Sequence, residues 1–368
     1  MMLAFRRTFC NHISYELVES SPSTHSPASR KLARSVVVRL VLFVVLCLAF
    51  LLWTAIRFFH RIPYNPQDSY QDINRFPVAV DIGGPHLPAQ KRAVVSSLYS
   101  DGFAIALAVV GHSARHANIS ARFLLPYLEN KVSVKALCIV RATGWEPYVV
   151  PLIPPPHGGE GIHPRFRDQY TKLSIWKLDT MGIMSAIYLD ADTLVRRNFD
   201  ELFDSPFSFA AVPDVYGAGD PRGFSLTFNA GVLAFHPSSL VFEDMRYKME
   251  VADFPLKQAE QAFLNLYFGA IGARLPYVYN ANLAIKARSP VMWRALLDEM
   301  RIVHYTAVKP FINDARSSDS VLSPEEMEEA MTLSGQRENG AFAEEVGWWR
   351  DAYRRMMQDR GAEIAKCY

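Results

Sequence analysis

Residues 36–56 read VVVRLVLFVVLCLAFLLWTAI, with one charge, Arg39. Backbone polar groups in hydrocarbon must bond within their own segment, and about 20 apolar residues span a bilayer core as a helix. This run predicts a single transmembrane helix, with Arg39 snorkelling to one headgroup layer and Trp53 at the other interface. A cleaved signal peptide is the competing reading. Residues 1–35 are a long leader for that class, and no small-x-small cleavage site follows the run. A soluble core helix seldom runs apolar on all faces. Arg6, Arg7, Arg30, Lys31 and Arg34 precede the run, whereas Asp68 and Asp72 dilute Arg57, Arg61 and Arg75 after it. The positive-inside rule then makes 1–35 a cytosolic head and everything beyond residue 56 lumenal, a single-pass type II arrangement. The sequon Asn118-Ile119-Ser120 lies on the lumenal side.

The head is rich in Ser and Pro over residues 20–29 and reads as disordered. Residues 57–95, proline-rich and aperiodic, read as a stem. Residues 96–315 carry the periodic elements of a folded domain, and 316–368 read as a helical appendage. Half of the 368 residues are hydrophobic, enough for a substantial core. With 39 basic and 37 acidic residues and no basic stripe, nothing points to nucleic acid. Cys10 and Cys47 fall before or within the apolar run. Only Cys138 and Cys367 could meet in the folded part, and we expect them unpaired.

Apolar runs at 103–110, 134–140, 148–153, 185–189, 228–235 and 302–305 read as strands. Helical spacing covers 170–181, 238–251, 259–267 and 290–300, the last opened by Ser289-Pro290. Alternation of this kind predicts an α/β fold with a mostly parallel central sheet, whose ligands bind beyond the carboxyl ends of the strands. Ser323-Pro324-Glu325-Glu326 is a capping box, so two amphipathic helices are expected near 325–333 and 341–358.

Asp190-Ala191-Asp192 follows the apolar stretch 185–189 and precedes Thr193-Leu194-Val195. Two carboxylates leaving a strand with a small residue between them can converge on one hard cation, whose open positions take diphosphate oxygens. An isolated Asp-x-Asp is commonly a solvated turn. Its apolar flanks embed this one in the fold. Haloacid-dehalogenase-like phosphatases also place such a pair after a strand, but the later acidic pair they need is not evident here. His304, at the end of 302–305, can complete a cation's ligand set, and Lys309 can neutralise a phosphate. Asn229-Ala230-Gly231 opens a strand where an amide can bond hydroxyls. Glu260-Gln261 opens a helix, where the pair could simply cap. Lys172 alone would be read as a surface charge.

In order along the chain stand Tyr170-Thr171-Lys172-Leu173 with Trp176, Tyr188 to Val195, and Asp200-Glu201-Leu202-Phe203. Then come Phe228-Asn229-Ala230-Gly231-Val232, Glu260 to Asn265, and His304-Tyr305 with Lys309-Pro310-Phe311. This series resembles glycosyltransferase family 8, the glycogenin-like group, over roughly 100–311. The resemblance implies a GT-A nucleotide-sugar fold and a UDP-sugar donor. It implies manganese (Mn2+) as cofactor, retention of anomeric configuration, and a glycan, glycolipid or protein acceptor. By position it assigns the metal to Asp190, Asp192 and His304, and the diphosphate to Lys309 and the Asp190-Ala191-Asp192 turn. Lys172 would lie near the phosphate and sugar, and Asn229, Glu260 and Gln261 would face the transferred sugar. Phe103 would stack on the uracil. Glu260 or Gln261 would serve retention, as a nucleophile or beside a front-side attack. The chain departs from glycogenin-like members at Glu260, where they carry aspartate, at Lys257 and at Ala307. It also has no tyrosine over 284–290, which with the apolar run argues against a self-glycosylating primer. These features imply a Golgi membrane enzyme with a lumenal catalytic domain. The alternatives are a non-catalytic binding module that kept the fold, or the phosphatase.

Overall fold

The strand at the middle of the parallel half of the sheet is only four residues long. In the computed structural model, which describes residues 27–59, 86–312 and 319–368, Arg92–Val95 (β1) is fully buried and pairs on both sides. On one side run Arg122–Tyr127 (β2) and Glu146–Val149 (β3), and on the other Ser185–Leu189 (β4), all parallel. Beyond β4 lies a short strand, Thr193–Val195 (β5), outside this sheet. Phe209–Val215 (β6), Phe224–Phe235 (β7) and Ala273–Arg274 (β8) complete seven strands in the order β3-β2-β1-β4-β7-β6-β8. β7 runs antiparallel to β4 and β6, and β8 returns parallel to β6. The sheet is mostly parallel, as expected.

Pleating sends alternate residues to opposite faces, and β4 shows it. Ile187 and Leu189 join the core beneath helices Ala104–His116 and Val134–Ala142, while Ala186 and Tyr188 join the opposite core with Trp176, Phe235 and Phe268. Aromatic packing is dense there: Phe209 and Phe268 stack with centroids 4.0 Å apart, and Trp176 lies 4.7 Å from Phe235. A second sheet of three short strands orders β5 with Ile302–His304 (β10) and Ala281–Asn282 (β9).

Several expectations are corrected. The run at 103–110 is not a strand but the start of helix Ala104–His116, in which every residue from Ala104 to Ala114 is buried. A helix buried all round shows no amphipathic period, so its run looks like that of a covered strand. Residues 134–140 are likewise helical, in Val134–Ala142, capped by Ser133 accepting from the Ala136 N–H. Residues 170–181 lie in a succession of 3-10 turns, Pro164–Met181, rather than an α-helix. β1, read as part of the 57–95 stem, belongs to the sheet, and residues 60–85 of that stem lie outside the described residues. Cys138 and Cys367 are paired, with Cα atoms 5.6 Å apart, against the expectation that they stay free.

The tail forms helices Pro324–Gln336 and Ala343–Ala365, the first with the capping box in place. Phe342, Trp349 and Tyr353 enter the main core. Glu345, fully buried, takes hydrogen bonds from Lys286 Nζ (2.8 Å) and Trp293 Nε1 (3.0 Å). The N-terminal unit, Met1–Tyr64, is described from Pro27 to Phe59 as one helix. Its Arg34–Ile56 stretch has mean hydropathy 2.9 and no buried residue, and is the one helix among the described residues long and apolar enough to cross a membrane. Residues 27–35, expected to be disordered head, already belong to this helix, and 1–26 lie outside the described residues.

Candidate metal and nucleotide-sugar site

The acidic turn is built where β4 runs out of partner. Leu189 pairs with Val232 of β7, and the Asp190 N–H then donates to the Gly231 carbonyl at 2.8 Å. Thr193 closes the turn, its N–H and hydroxyl both donating to the Asp190 carbonyl. β5 leaves the turn antiparallel to β10, with Thr193 opposite His304, and the Tyr305 N–H donates to the Asp192 carbonyl at 2.8 Å. The two sheets therefore bring a histidine more than a hundred residues away onto the acidic pair.

Ligand atoms of Asp190, Asp192 and His304 lie within 4.8 Å of one another. His304 Nε2 faces Asp192 Oδ1 at 3.1 Å. Two carboxylates and an imidazole, partly shielded from water, form a donor set that can coordinate a divalent cation such as Mn2+. Lys309 Nζ pairs with the other Asp192 oxygen. Burial alone would raise the Asp192 carboxyl. The Lys309 ammonium outweighs that and holds it far below the usual carboxylate range.

Asp190 is held from the other side. Its Oδ1 accepts from Tyr188 OH (2.9 Å) and Lys172 Nζ (3.2 Å), and Lys172 also donates to Glu260 Oε1 (2.8 Å) and the Ala230 carbonyl (3.3 Å). Burial disfavours the Lys172 charge, but Asp190 and Glu260 overcome this and hold its pKa well above the ordinary value. Lys172 is thus not a surface lysine. It is a buried bridge between the acidic turn and the helix Ala259–Phe268 that carries Glu260 and Gln261.

Gln261 and Asn229 share a partner that the sequence did not reveal. Asp214, buried in β6, accepts from Asn229 Nδ2 at 3.2 Å and from Gln261 Nε2 at 3.0 Å. Burial raises its pKa, opposed by those amides and the Val215 N–H. Asn280, also missed, lies with one face on His304 and the other on Asn229. A polar residue at the end of an apolar run was the signal available for both. Phe103 sits at the start of helix Ala104–His116, its ring edge-on to Phe311 at 5.7 Å, just beyond Lys309-Pro310. Ala191 is half-buried between the two carboxylates. Asp190, Asp192, His304, Lys309, Lys172, Asn229, Glu260 and Gln261 are therefore linked in one network of side chains and the Ala230 backbone, and Phe103 packs on Phe311, two residues beyond Lys309.

Residues 163–314 match the family model described as glycosyl transferase family 8. Galactinol synthase 4 of Arabidopsis thaliana is 33% identical over 46% of this chain and 56% of its own length. Galactinol synthase 1 of the same plant is 29% identical over 62% and 74%, respectively. The plant's inositol phosphorylceramide glucuronosyltransferase 1 is 30% identical over 59% of this chain and 42% of its own length. The chain thus spans about half the length of many of the curated relatives it matches. Among solved structures, the apo glycosyltransferase GlyE of Streptococcus pneumoniae TIGR4 aligns at 18% identity and a TM-score of 0.45, over 73% of this chain and 64% of that one. The matched segment holds all three ligands of the metal cluster together with Lys172, Asn229, Glu260, Gln261 and Lys309, so the similarity to glycosyl transferase family 8 falls on the site itself.

Proposed function

We propose that this chain is a retaining, Mn2+-dependent glycosyltransferase that moves a hexose or N-acetylhexosamine from a UDP-sugar to a glycan, glycolipid or protein acceptor. The observation that carries the reading is the Asp190, Asp192 and His304 cluster with Lys309 at its edge. When bound there, a divalent cation would offset the charge that builds on a diphosphate leaving group as the sugar bond breaks. Lys309 adds a second positive group on the same side. Phe103 offers a ring for the uracil, and Phe311 packs edge-on against that ring. Lys172 ties the metal-binding turn to Glu260, so the groups that would face the sugar are fixed relative to those that would face the phosphate. Glu260, buried and paired, and Gln261, its amide held by Asp214 and the Ala230 N–H, are the candidates for serving retention.

The apolar helix Arg34–Ile56 supports a single-pass type II anchor. The Cys138–Cys367 disulfide supports an oxidising lumenal setting for the folded domain, which we assign to the Golgi. One relative is named for glucuronosyl transfer on inositol phosphorylceramide, which supports a glycolipid among the acceptor classes.

The test is UDP release by the full chain in detergent from a panel of UDP-sugars, with Mn2+ and with chelator. Turnover of one sugar that requires the cation establishes the transferase and names its donor. No turnover and no UDP binding under any condition would leave a binding module that kept the fold.

A further inference from the structure

A neutral imidazole carries one proton, and only the tautomer protonated on Nδ1 leaves the Nε2 lone pair for a cation. In His304, Nε2 faces the acidic turn and Nδ1 faces the Asn280 side chain at 3.0 Å. Which end of the Asn280 amide meets the ring therefore decides whether His304 can serve as a ligand.

The polarity of that amide is set several residues away by groups with no choice. The Gly231 backbone N–H can only donate, and it points at the Asn229 side chain at 3.0 Å, so the Asn229 oxygen lies there. The Asn229 NH2 is then directed to the Asp214 carboxyl. Neighbouring Ala230 does the same to Gln261: its N–H takes the Gln261 oxygen at 3.0 Å, sending that NH2 also to Asp214. Two independent amides, each anchored by a backbone donor, end on one acceptor with the same sense. The Asn229 oxygen also faces Asn280 at 3.0 Å, so Asn280 must present its NH2 on that side. Its oxygen is left for His304, and an oxygen only accepts.

We propose that Asn280, oriented through Asn229 by the Gly231 N–H, is a positioning residue that keeps the proton of His304 on Nδ1 and so readies Nε2 for the divalent cation. Asn280 is 1% exposed, so bulk water does not offer the ring a competing partner on that side. The ring is also held tightly, because a Cβ on Gly231 would collide with it. With Nδ1 occupied, Nε2 and an Asp192 oxygen face each other at 3.1 Å. Both atoms would then be free to ligate a divalent cation.

The proposal rests on the metal-site reading, and its test separates the two. In full-length chain labelled with 15N-histidine and assigned through His304→Gln, imidazole NMR reports which nitrogen carries the proton. Nδ1 protonated in both the metal-free and the Mg2+-loaded chain is the expected result, and a bare Nδ1 in either overturns the proposal. Mn2+ titration by electron paramagnetic resonance should show Asn280→Leu weakening binding by about 10–100-fold, and unchanged affinity in the folded variant overturns it as well. Should that variant fail to fold, the wild-type spectrum still decides. A wild-type chain that binds no Mn2+ would sink the metal site itself, a result distinct from Mn2+ bound beside a bare Nδ1.

Discussion

Asp192 sits between Lys309 and His304, and its depressed pKa has a consequence for stability in the metal-free protein. A carboxyl whose folded pKa lies below its unfolded value stabilises the fold above the unfolded pKa, about 3.9, and loses that contribution as pH falls towards the folded value. Wild type should therefore exceed Asp192→Asn in urea stability at neutral pH, with the gap closing on acidification below about pH 5. A gap that is constant with pH would contradict the ion-pair account. Lys172 gives a second prediction. Removing it in Lys172→Ala leaves Glu260 buried and Asp190 partly so, without their cation, and should cost about 3–5 kcal/mol in chemical denaturation. A loss under about 1 kcal/mol would mean the bridge is solvated. At this scale the sequence was legible where residues stood in a motif. Asp190 and Asp192 were readable from the apolar stretch that leads into them, and His304 and Lys309 through the resemblance of the ordered motifs. Asp214 and Asn280 were not, because a single polar residue beside an apolar run carries no mark of what lies across the fold. Lys172 could be named by resemblance, but its burial depends on Glu260, 88 positions away.

Among elements, β4 was legible as an apolar stretch leading into the acidic turn, and β7 in part, since the strand read at 228–235 begins at Phe224 and holds Asn229 inside it rather than at its opening. Helices Ser239–Val251 and Ala259–Phe268 were legible from their period. What failed has a common cause. Ala104–His116 is covered on all sides, so its hydrophobicity carries no helical phase. Its alanines, good helix formers, were the better guide. β2 was missed because Pro126 interrupts it, and a proline in a strand paired on both sides argues against strand. Here the Pro126 carbonyl still accepts from the Leu98 N–H at 3.0 Å. β1 was hidden by its brevity in a segment read as stem. The capping box of Pro324–Gln336 was readable and formed. Ser323→Ala should lower stability by about 1 kcal/mol, measured in urea. The same helix holds the segment that carries Lys309, since Ser334 Oγ donates to the Lys309 carbonyl at 2.9 Å. An unchanged midpoint would show that the cap adds nothing once tertiary contacts are made.

For the whole molecule, the disulfide is the feature that composition argued against and the fold supplies. Cys138 and Cys367 are 229 residues apart, and the middle of helix Val134–Ala142 meets the chain just beyond the end of helix Ala343–Ala365. Closing a loop of that length removes unfolded-state entropy equivalent to roughly 5 kcal/mol. The double variant Cys138→Ser, Cys367→Ser should lose up to about that amount, and equal stability of the two proteins in non-reducing urea would contradict a formed bridge. The central claim joins the scales: a cluster assembled by two sheets holds a cation, and the cation holds a nucleoside diphosphate. Binding of the two must then be reciprocal. The most direct measurement is calorimetric titration of UDP into the full chain in detergent, with Mn2+ or with chelator, for wild type and Asp192→Ala. The account predicts UDP binding by wild type that Mn2+ strengthens at least tenfold, a coupling of about 1.4 kcal/mol, and that Asp192→Ala abolishes. UDP binding of equal strength with Mn2+ and with chelator, or unchanged by the substitution, would contradict it.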